Sequence, residues 1–467
     1  MKTKIIILLL ALSSVLFSCK KFLDIDPPST TLTSESVYKD NISAIGVLNG
    51  IYSSMALDGL FSGPQDGLSV KLGLSSDEFD LLHIVWNPQP SLIYRNELSS
   101  TVGPGFWTEI YKKVSALNIA IEGLTSSSSL SPVVKNQLLG EAKFTRAVYF
   151  FYLTNMFKDV PLPLTADYRL NDKLTSLSQD AVYTQVISDL KEAESLLSSR
   201  YLSNTLTSES EERVRPIKPA VEAFLARVYL YQKNWQKAEE YASKLIDNPL
   251  FEILPVNEVF LKNSKEAIWQ LQPAPNFNTR DGEYFIIRDV PNFDHPLFLS
   301  KSLLDGFDKD HDERYANWIN KVTDGTTSYF FPFKYKKTFE AGDVSEYVMV
   351  LRLAEQYLIR AEARAEIGNI GGAQEDLKVI TERAGLDINA SAEKNTLLSQ
   401  ILEQRRLELF SELGHRWFDL KRTGTIDAAM TSAMIIKGGV WESYKAYFPK
   451  MQSEILKNPN IKQTPGY

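Results

Sequence analysis

Residues 219–248, PAVEAFLARVYLYQKNWQKAEEYASKLIDN, contain the pattern that decides the fold. Apolar side chains recur at three- and four-residue steps on both sides of a polar break near Asn234, which predicts two helices joined by a short turn. Ala226 and Ala238 lie twelve residues apart, one in each helix. Facing alanines let two helices approach closely, because the distance between packed helices depends on the side chains at their contact.

A second hairpin pattern occupies residues 351–383, with its break at the sequence GNIGG. Ala361 and Ala373 repeat the twelve-residue spacing, and small residues at this spacing are typical of a tetratricopeptide hairpin. The two hairpins are far apart in the chain, so they do not form a tandem array. We therefore predict a mostly α fold, in which a few dispersed tetratricopeptide-like hairpins support the material inserted between them.

Two further helices are predicted ahead of the first hairpin. The apolar stripe in residues 107–122 recurs with a helical period. Residues 140–157, GEAKFTRAVYFFYLTNMF, are apolar almost all round, which is typical of a buried central helix. Pro161 and Pro163 prevent this helix from continuing, because proline lacks the backbone N–H that a helix interior needs.

The helical frame is interrupted by two long irregular stretches, residues 58–105 and 251–350. The second contains six prolines, many aromatic residues and an Asp281-Gly282 pair before YFII, which predicts a short β-hairpin. Compact domains keep long irregular segments mainly where the segments carry function. We therefore expect these insertions to be partly β and to contain the ligand-binding surface.

Composition narrows the class of protein. Hydrophobic residues make up 44% of the 467 residues and charged residues 23%, which excludes general disorder and a polytopic membrane protein. The net charge is −7 and the pI is near 5.4, whereas nucleic-acid binding needs a basic face, so no nucleic-acid partner is expected. The single cysteine excludes an intrachain disulfide and a CxxC redox site.

Residues 1–18 are predicted to be a secretory signal peptide. Two lysines precede an apolar segment of about 13 residues, which is too short to cross a bilayer. Cys19 follows in the run LFSC, a spacing similar to the lipobox of bacterial lipoproteins. We expect Cys19 to be lipidated and residues 19–467 to form a single domain tethered by acyl chains. In the alternative interpretation, Cys19 is an ordinary residue of the signal.

No catalytic, metal or cofactor site is expected. The run HRWFDLKR could make His415 a base oriented by Asp419, but we favour a packed helix end in which the charged residues of 405–419 pair with one another. The acidic run at residues 305–313 could hold calcium, but it lacks EF-hand spacing, so a solvated turn and helix start is favoured. The motifs of metalloproteases, serine hydrolases, P-loop proteins and dinucleotide-binding proteins are missing.

The aromatic residues of the insertions are the better guide to a binding site. Sugar rings present apolar C–H faces that pack on aromatic rings, while planar polar side chains bond their hydroxyls. The sequence HIVWNPQPSLIYRN offers both kinds of group, and the second insertion places tyrosines beside polar residues. The expected ligand-binding residues are Trp86, Asn87, Tyr94, Arg95, Tyr284 and Tyr329. The alternative is that these rings pack into the frame.

Several runs taken together resemble the SusD/RagB family of outer-membrane nutrient-binding lipoproteins. In chain order they are CKKFLDIDP, WTEIYKKVSALN, GEAKFTRAVYFFYL with DVPLP, FLARVYLYQKNWQKAEEYA, LRLAEQYLIRAEARAE, RRLELFSELGHRWFDLKRTG and NPNIKQTPGY. The resemblance covers almost the whole chain and is weakest over residues 58–105. It implies a helical fold with four tetratricopeptide-like hairpins, a lipid anchor in the outer membrane, and exposure at the cell surface.

The resemblance also implies a function and a partner. Members of this family bind a nutrient, most often an oligosaccharide and in some cases a peptide, and deliver it to a SusC-like TonB-dependent transporter that they cover like a lid. Ligand capture without catalysis is therefore the expected role. Two alternatives stay open: an adaptor at the membrane surface that binds no ligand, which the hairpins alone would suit, and a surface hydrolase.

Overall fold

The computed structural model describes residues 37–57, 59–62, 67–82, 88–292 and 294–467. The predicted signal peptide, Cys19, Trp86 and Asn87 lie outside these residues, so what we expect of them stays a prediction. The protein is about 52% helical, with few and short strands, which confirms the mostly α prediction.

Helices form most of the frame. Those before residue 250 are α1 (Asn41–Leu57), α2 (Leu68–Ser75), α3 (Pro88–Tyr94), α4 (Phe106–Ser126), α5 (Pro132–Phe157), α6 (Tyr168–Asn171), α7 (Gln179–Leu196), α8 (Lys218–Tyr231) and α9 (Trp235–Ile246). Those after it are α10 (Arg280–Phe285), α11 (Lys301–Leu304), α12 (Glu313–Trp318), α13 (Leu353–Glu366), α14 (Ile370–Arg383), α15 (Lys394–Leu409), α16 (His415–Arg422), α17 (Ile426–Lys437) and α18 (Gln452–Lys457). In the part of the chain that the structure describes, none of them combines the length and the apolarity needed to span a bilayer.

The predicted central helix is confirmed as α5, and residues 144–157 within it are all buried. It begins at Pro132, earlier than expected, because proline fits the first turn of a helix, where its missing N–H is not needed. Arg146 fastens α5 to its neighbours: its guanidinium donates to Asp189 of α7 (2.7 Å) and to Asn118 of α4 (2.8 Å). The helix predicted at residues 107–122 is confirmed as α4.

Both predicted hairpins are present. Asn234 caps α9 by accepting a hydrogen bond from the backbone N–H of the third helical residue, Lys237. Asn369 caps α14 in the same way, by accepting from the backbone N–H of Gly372. The four paired alanines of the two hairpins are fully buried. α13 begins at Leu353, later than expected, because the two preceding residues belong to a strand. α9 packs on α13, so hairpins far apart in sequence are neighbours in the fold.

The insertions are partly β, as expected. The described residues form three antiparallel two-stranded sheets: β1 (Phe79–Leu81) with β3 (Leu297–Leu299), β2 (Ala267–Leu271) with β6 (Val348–Arg352), and β4 (Ile319–Asp324) with β5 (Thr327–Pro332). The first sheet joins the two insertions to each other, and the second is buried in the frame.

The prediction of a β-hairpin at Asp281-Gly282 is wrong. Both residues lie in α10, which Thr279 caps by accepting a hydrogen bond from the Gly282 N–H (3.1 Å). Glycine stands there because a Cβ atom would lie 2.1 Å from the carbonyl oxygen of Lys337. The glycine therefore permits a close backbone approach and does not mark a turn.

A buried ion-pair network ties the C-terminal helices to the second insertion. Glu408 of α15 accepts a hydrogen bond from Arg352 (2.6 Å), lies 3.4 Å from Arg314, and also pairs with Arg383. The side chains of all four residues are at most 5% exposed. These charges therefore satisfy one another inside the protein and belong to the fold.

Candidate ligand-binding surface

The two insertions meet where β1 pairs with β3. The register places Asp80 opposite Phe298, while the neighbouring pair Phe79 and Leu299 is buried. Because successive side chains of a strand point to opposite faces, Asp80 and Phe298 lie together on the face turned away from the core. Both are partly exposed. One face thus receives a side chain from each insertion.

Tyr94, the last residue of α3, is held against this face. Its hydroxyl donates a hydrogen bond to the Asp80 carboxylate (2.8 Å). Burial and the nearby Asp80 carboxylate raise the pKa of Tyr94, so the phenol stays a protonated donor at neutral pH. The ammonium of Lys437 lies 4.6 Å from the ring centroid, a cation–π contact that helps to fix the ring.

Tyr329 of β5 packs against Phe298. The ring centroids are 5.3 Å apart and the planes meet at 79°, an edge-to-face contact. Tyr329 is partly exposed. We call the three rings of Tyr94, Phe298 and Tyr329, together with the Asp80 carboxylate, the aromatic surface.

Trp86 and Asn87, two of the predicted ligand-binding residues, lie outside the described residues. A third, Arg95, is paired with a neighbouring carboxylate. The Leu82 N–H donates to the carbonyl of Pro296 (2.8 Å), so the chain enters residues 83–87, which include Trp86 and Asn87, directly beside β3. Arg95 is described, and its guanidinium pairs with Glu97 (2.9 Å).

Tyr284 is not part of an exposed surface, contrary to expectation. Its side chain is 6% exposed and packs against the rings of Phe285 and His295. The cause is the helix that replaces the predicted hairpin: α10 turns Tyr284 inward, whereas a hairpin could have placed it on the outer face.

The run HRWFDLKR forms a packed, ion-paired helix end, as favoured from sequence. Asp419 accepts a hydrogen bond from Arg405 (3.1 Å). His415 is 6% exposed, and burial lowers its pKa to about 4, so its imidazole is neutral and shielded. The other pairings differ from expectation, because they leave the segment. Arg416 and Arg406 bind Asp77 of the first insertion (2.7 and 3.1 Å). Glu408 binds the arginines of the buried network described above.

The acidic run at residues 305–313 is a turn that starts a helix, as favoured from sequence. Asp312 caps α12 by accepting a hydrogen bond from the backbone N–H of Arg314 (2.9 Å), and Asp305 lies 3.6 Å from Lys309. Among the described residues, no group of three or more histidine, cysteine, aspartate or glutamate side chains is arranged to hold a metal ion.

Sequence reasoning missed Asp80 and Phe298. FDL alternates apolar and polar residues, but LFL is apolar throughout, so the second strand carries no such signal. Three residues are too few for that alternation to be recognised in a sequence. The pairing itself joins segments more than two hundred residues apart, which no local pattern indicates.

Known proteins share this sequence and this fold. A family model described as the SusD family matches residues 311–467, and a SusD-like model described as starch-binding and associating with the outer membrane matches residues 80–230. This chain belongs to the SusD/RagB family. Its aromatic surface takes Asp80 and Tyr94 from one matched segment, Tyr329 from the other, and Phe298 from the chain between them.

Individual relatives of this SusD/RagB-family protein match over nearly the whole length. SusD-like protein P25 of Formosa agariphila is 23% identical, with 91% of each chain covered. A solved SusD superfamily protein from Bacteroides vulgatus superposes with a TM-score of 0.78 at 23% identity, covering 92% of this chain and 100% of that one. A solved laminarin-binding SusD-like protein gives 0.77 at 22% identity, with the same coverage. These structures share its fold.

Proposed function

We propose that the protein captures an oligosaccharide on the aromatic surface and delivers it for uptake across the outer membrane. The observation that carries this proposal is the surface itself, in which partly exposed rings from both insertions lie beside a carboxylate. Aromatic rings bind the apolar faces of sugars, and a carboxylate accepts hydrogen bonds from sugar hydroxyls. Both kinds of contact occur on one open face.

The comparisons support a glycan ligand. The model that matches residues 80–230 is described as starch-binding, and a structural neighbour is described as laminarin-binding. Starch and laminarin are both polysaccharides. These descriptions favour an oligosaccharide over the peptide cargo that we left open from sequence, and they favour a ligand-binding role over a purely structural adaptor.

We assign the binding roles as follows. Tyr329 and Phe298 supply packing area, Asp80 accepts hydrogen bonds from hydroxyls, and Tyr94 orients Asp80. Trp86 and Asn87 are proposed to extend the surface, because the described chain enters their segment beside β3. Arg95 flanks the surface and is held by Glu97. Tyr284 supports the surface from the core and is not assigned a ligand contact.

The proposed role is binding without catalysis. His415, the histidine that sequence reasoning considered as a base, is shielded from ligand, and its suggested partner Asp419 is committed to an arginine. A buried neutral imidazole without access to substrate cannot act as a general base. This supports capture and delivery over hydrolysis.

Two further parts of the role follow from the sequence. We propose that Cys19 is lipidated and anchors the protein in the outer membrane at the cell surface, which agrees with a family model described as associating with the outer membrane. We also propose a SusC-like TonB-dependent transporter as the partner that receives the glycan. The lipobox-like run and the family resemblance support these two proposals.

Calorimetric titration with maltooligosaccharides and laminarioligosaccharides tests the function. We expect a Kd between millimolar and about ten micromolar, because an open surface contacts one side of a few sugar rings and ordering the glycan offsets much of the gain. Tyr329→Ala should weaken binding at least about tenfold, the effect of truncating an aromatic residue at the centre of an interface.

The matched control is Tyr168→Ala, which removes a tyrosine that is 69% exposed on α6, outside the aromatic surface. It should leave binding unchanged. Chromatography of the glycan after prolonged incubation should recover it intact. Equal binding by the two variants would refute the assignment to the aromatic surface, and released products would refute binding without catalysis.

A further inference from the structure

We infer that the aromatic surface selects uncharged glycans and that Asp80 is the residue that disfavours uronic-acid and sulfated ones. The inference rests on the proposed function and adds the chemical class of the ligand. It follows from where the charged side chains lie around the three rings.

Two carboxylates lie at the surface. Asp80 is partly exposed, and the partner that reaches its carboxylate is the neutral hydroxyl of Tyr94. Asp324 adds a second carboxylate on the Tyr329 side. In the β4–β5 register it pairs with Thr327, and Val322 pairs with Tyr329. Because side chains alternate along a strand, Asp324 is on the same face as Tyr329, and it is exposed.

The basic residues near the surface are paired or turned away. Arg95 gives its guanidinium to Glu97 (2.9 Å). Lys321 pairs in register with Phe330, on the opposite face of β4–β5, and its ammonium lies 5.8 Å from the centroid of that ring. The charge of Arg95 is thus balanced by a neighbouring carboxylate, and Lys321 lies on the face away from Tyr329.

Lys437 is a third cation near the surface. It lies beneath Tyr94, is 6% exposed, and donates hydrogen bonds to the backbone carbonyls of Leu74 and Ser76. Burial lowers the pKa of Lys437 to about 7, against the opposing effect of the Asp77 and Asp80 carboxylates. Its ammonium is held by these two carbonyls and by the ring of Tyr94.

The consequence is an electrostatic filter. Neutral sugars present hydroxyl donors, which match the acceptor oxygens of Asp80. Uronic acids and sulfate esters present anionic acceptors, which the same carboxylate repels. A ligand anion would also lose water, while Arg95, the described cation that flanks the surface, is already paired with Glu97, and such desolvation is costly.

Affinity electrophoresis with matched polymers tests the inference. The pairs are hydroxyethylcellulose with carboxymethylcellulose, dextran with dextran sulfate, and laminarin with sulfated laminarin. For each backbone that the protein binds, we expect the anionic form to bind at least about tenfold more weakly at low salt. The difference should narrow as salt is added, since charges separated by more than about 10 Å are screened at 0.1 M ionic strength.

Two variants locate the effect. Asp80→Asn removes the charge but keeps an acceptor for Tyr94, and Glu97→Gln frees the Arg95 guanidinium. Each should reduce the neutral-to-anionic affinity ratio at least threefold. The control is Glu252→Gln, which removes an exposed carboxylate outside the aromatic surface. The Glu252 side chain is 60% exposed and lies 3.3 Å from Lys265. This change should leave the affinity ratio unchanged.

The outcomes separate the inference from the function it rests on. Anionic polymers that bind as tightly as their neutral parents, or tighter, would overturn the inference and leave glycan capture standing. Discrimination that Asp80→Asn does not alter would overturn the assignment to Asp80. No binding to any of the six polymers would count against the proposed function itself.

Discussion

Replacing Glu408 by glutamine should strongly destabilise the protein. Glu408 is fully buried and faces the guanidinium groups of Arg314, Arg352 and Arg383. Removing a buried carboxylate from such a set leaves positive charge uncompensated, which costs about 3–5 kcal/mol. Glutamine keeps one acceptor oxygen, so we expect a loss of about 3 kcal/mol in the free energy of unfolding.

Urea unfolding followed by tryptophan fluorescence measures this loss. The control is Glu403→Gln in the same helix, where the side chain is 43% exposed and the change should cost less than about 0.5 kcal/mol. Both variants should keep the wild-type m-value, so that the shift in midpoint reports stability. Equal losses in the two variants would refute the reasoning, because they would show that the buried network contributes no more than a surface charge.

The same variant has a pH signature. Burial alone would raise the pKa of Glu408, but the guanidinium groups of Arg383, Arg352 and Arg314 outweigh it and hold the pKa well below its ordinary value near 4.5. A carboxylate with a lowered pKa stabilises the folded state fully above its unfolded pKa and loses that contribution as the pH falls through its folded pKa. The stability difference between wild type and Glu408→Gln should therefore shrink below about pH 4.5 and be unchanged between pH 6 and pH 8.

Three further substitutions test other parts of the molecule. Burial lowers the pKa of His415 to about 4, so its contribution to stability is present above pH ~6.5 and is lost as the pH falls towards ~4. The difference in unfolding free energy between wild type and His415→Gln, measured by urea unfolding, should therefore narrow as the pH is lowered over that interval. A difference independent of pH would argue against a buried neutral imidazole. Trp86→Ala should abolish glycan binding in titration and leave the melting temperature nearly unchanged if the ring is a surface contact, whereas a loss of about 3–5 kcal/mol would place Trp86 in the core. Cys19→Ala should release the protein from the outer-membrane fraction in cells that lack the transporter, and continued sedimentation with membranes would contradict lipidation at Cys19.

The helical frame could be predicted from sequence because its signals are local. The hairpins of α8 with α9 and α13 with α14 combine a helical period, a capping asparagine and small residues at the contact, all within about thirty residues. The error at Asp281-Gly282 has an equally local origin. The dipeptide is a strong turn signal, but Thr279 caps a helix across it, and the close approach of Lys337 comes from elsewhere in the chain.

The aromatic surface could be predicted only in part. Tyr94 and Tyr329 were recognisable as aromatic residues of irregular segments, but Asp80 and Phe298 become neighbours through a pairing of three-residue strands. The exposure of each ring depends on such long-range contacts. Tyr284 shows this: it has the same sequence character as Tyr329, yet α10 buries it. Residue type therefore indicated the chemistry of the site, and tertiary packing decided which residues form it.

A crystal structure of the protein soaked with laminarioligosaccharide or maltooligosaccharide tests glycan capture most directly. We expect a sugar ring seated on Tyr329 and Phe298, with a hydroxyl that donates a hydrogen bond to the Asp80 carboxylate. Oligosaccharide bound elsewhere on the protein, with the aromatic surface empty, would contradict the proposal.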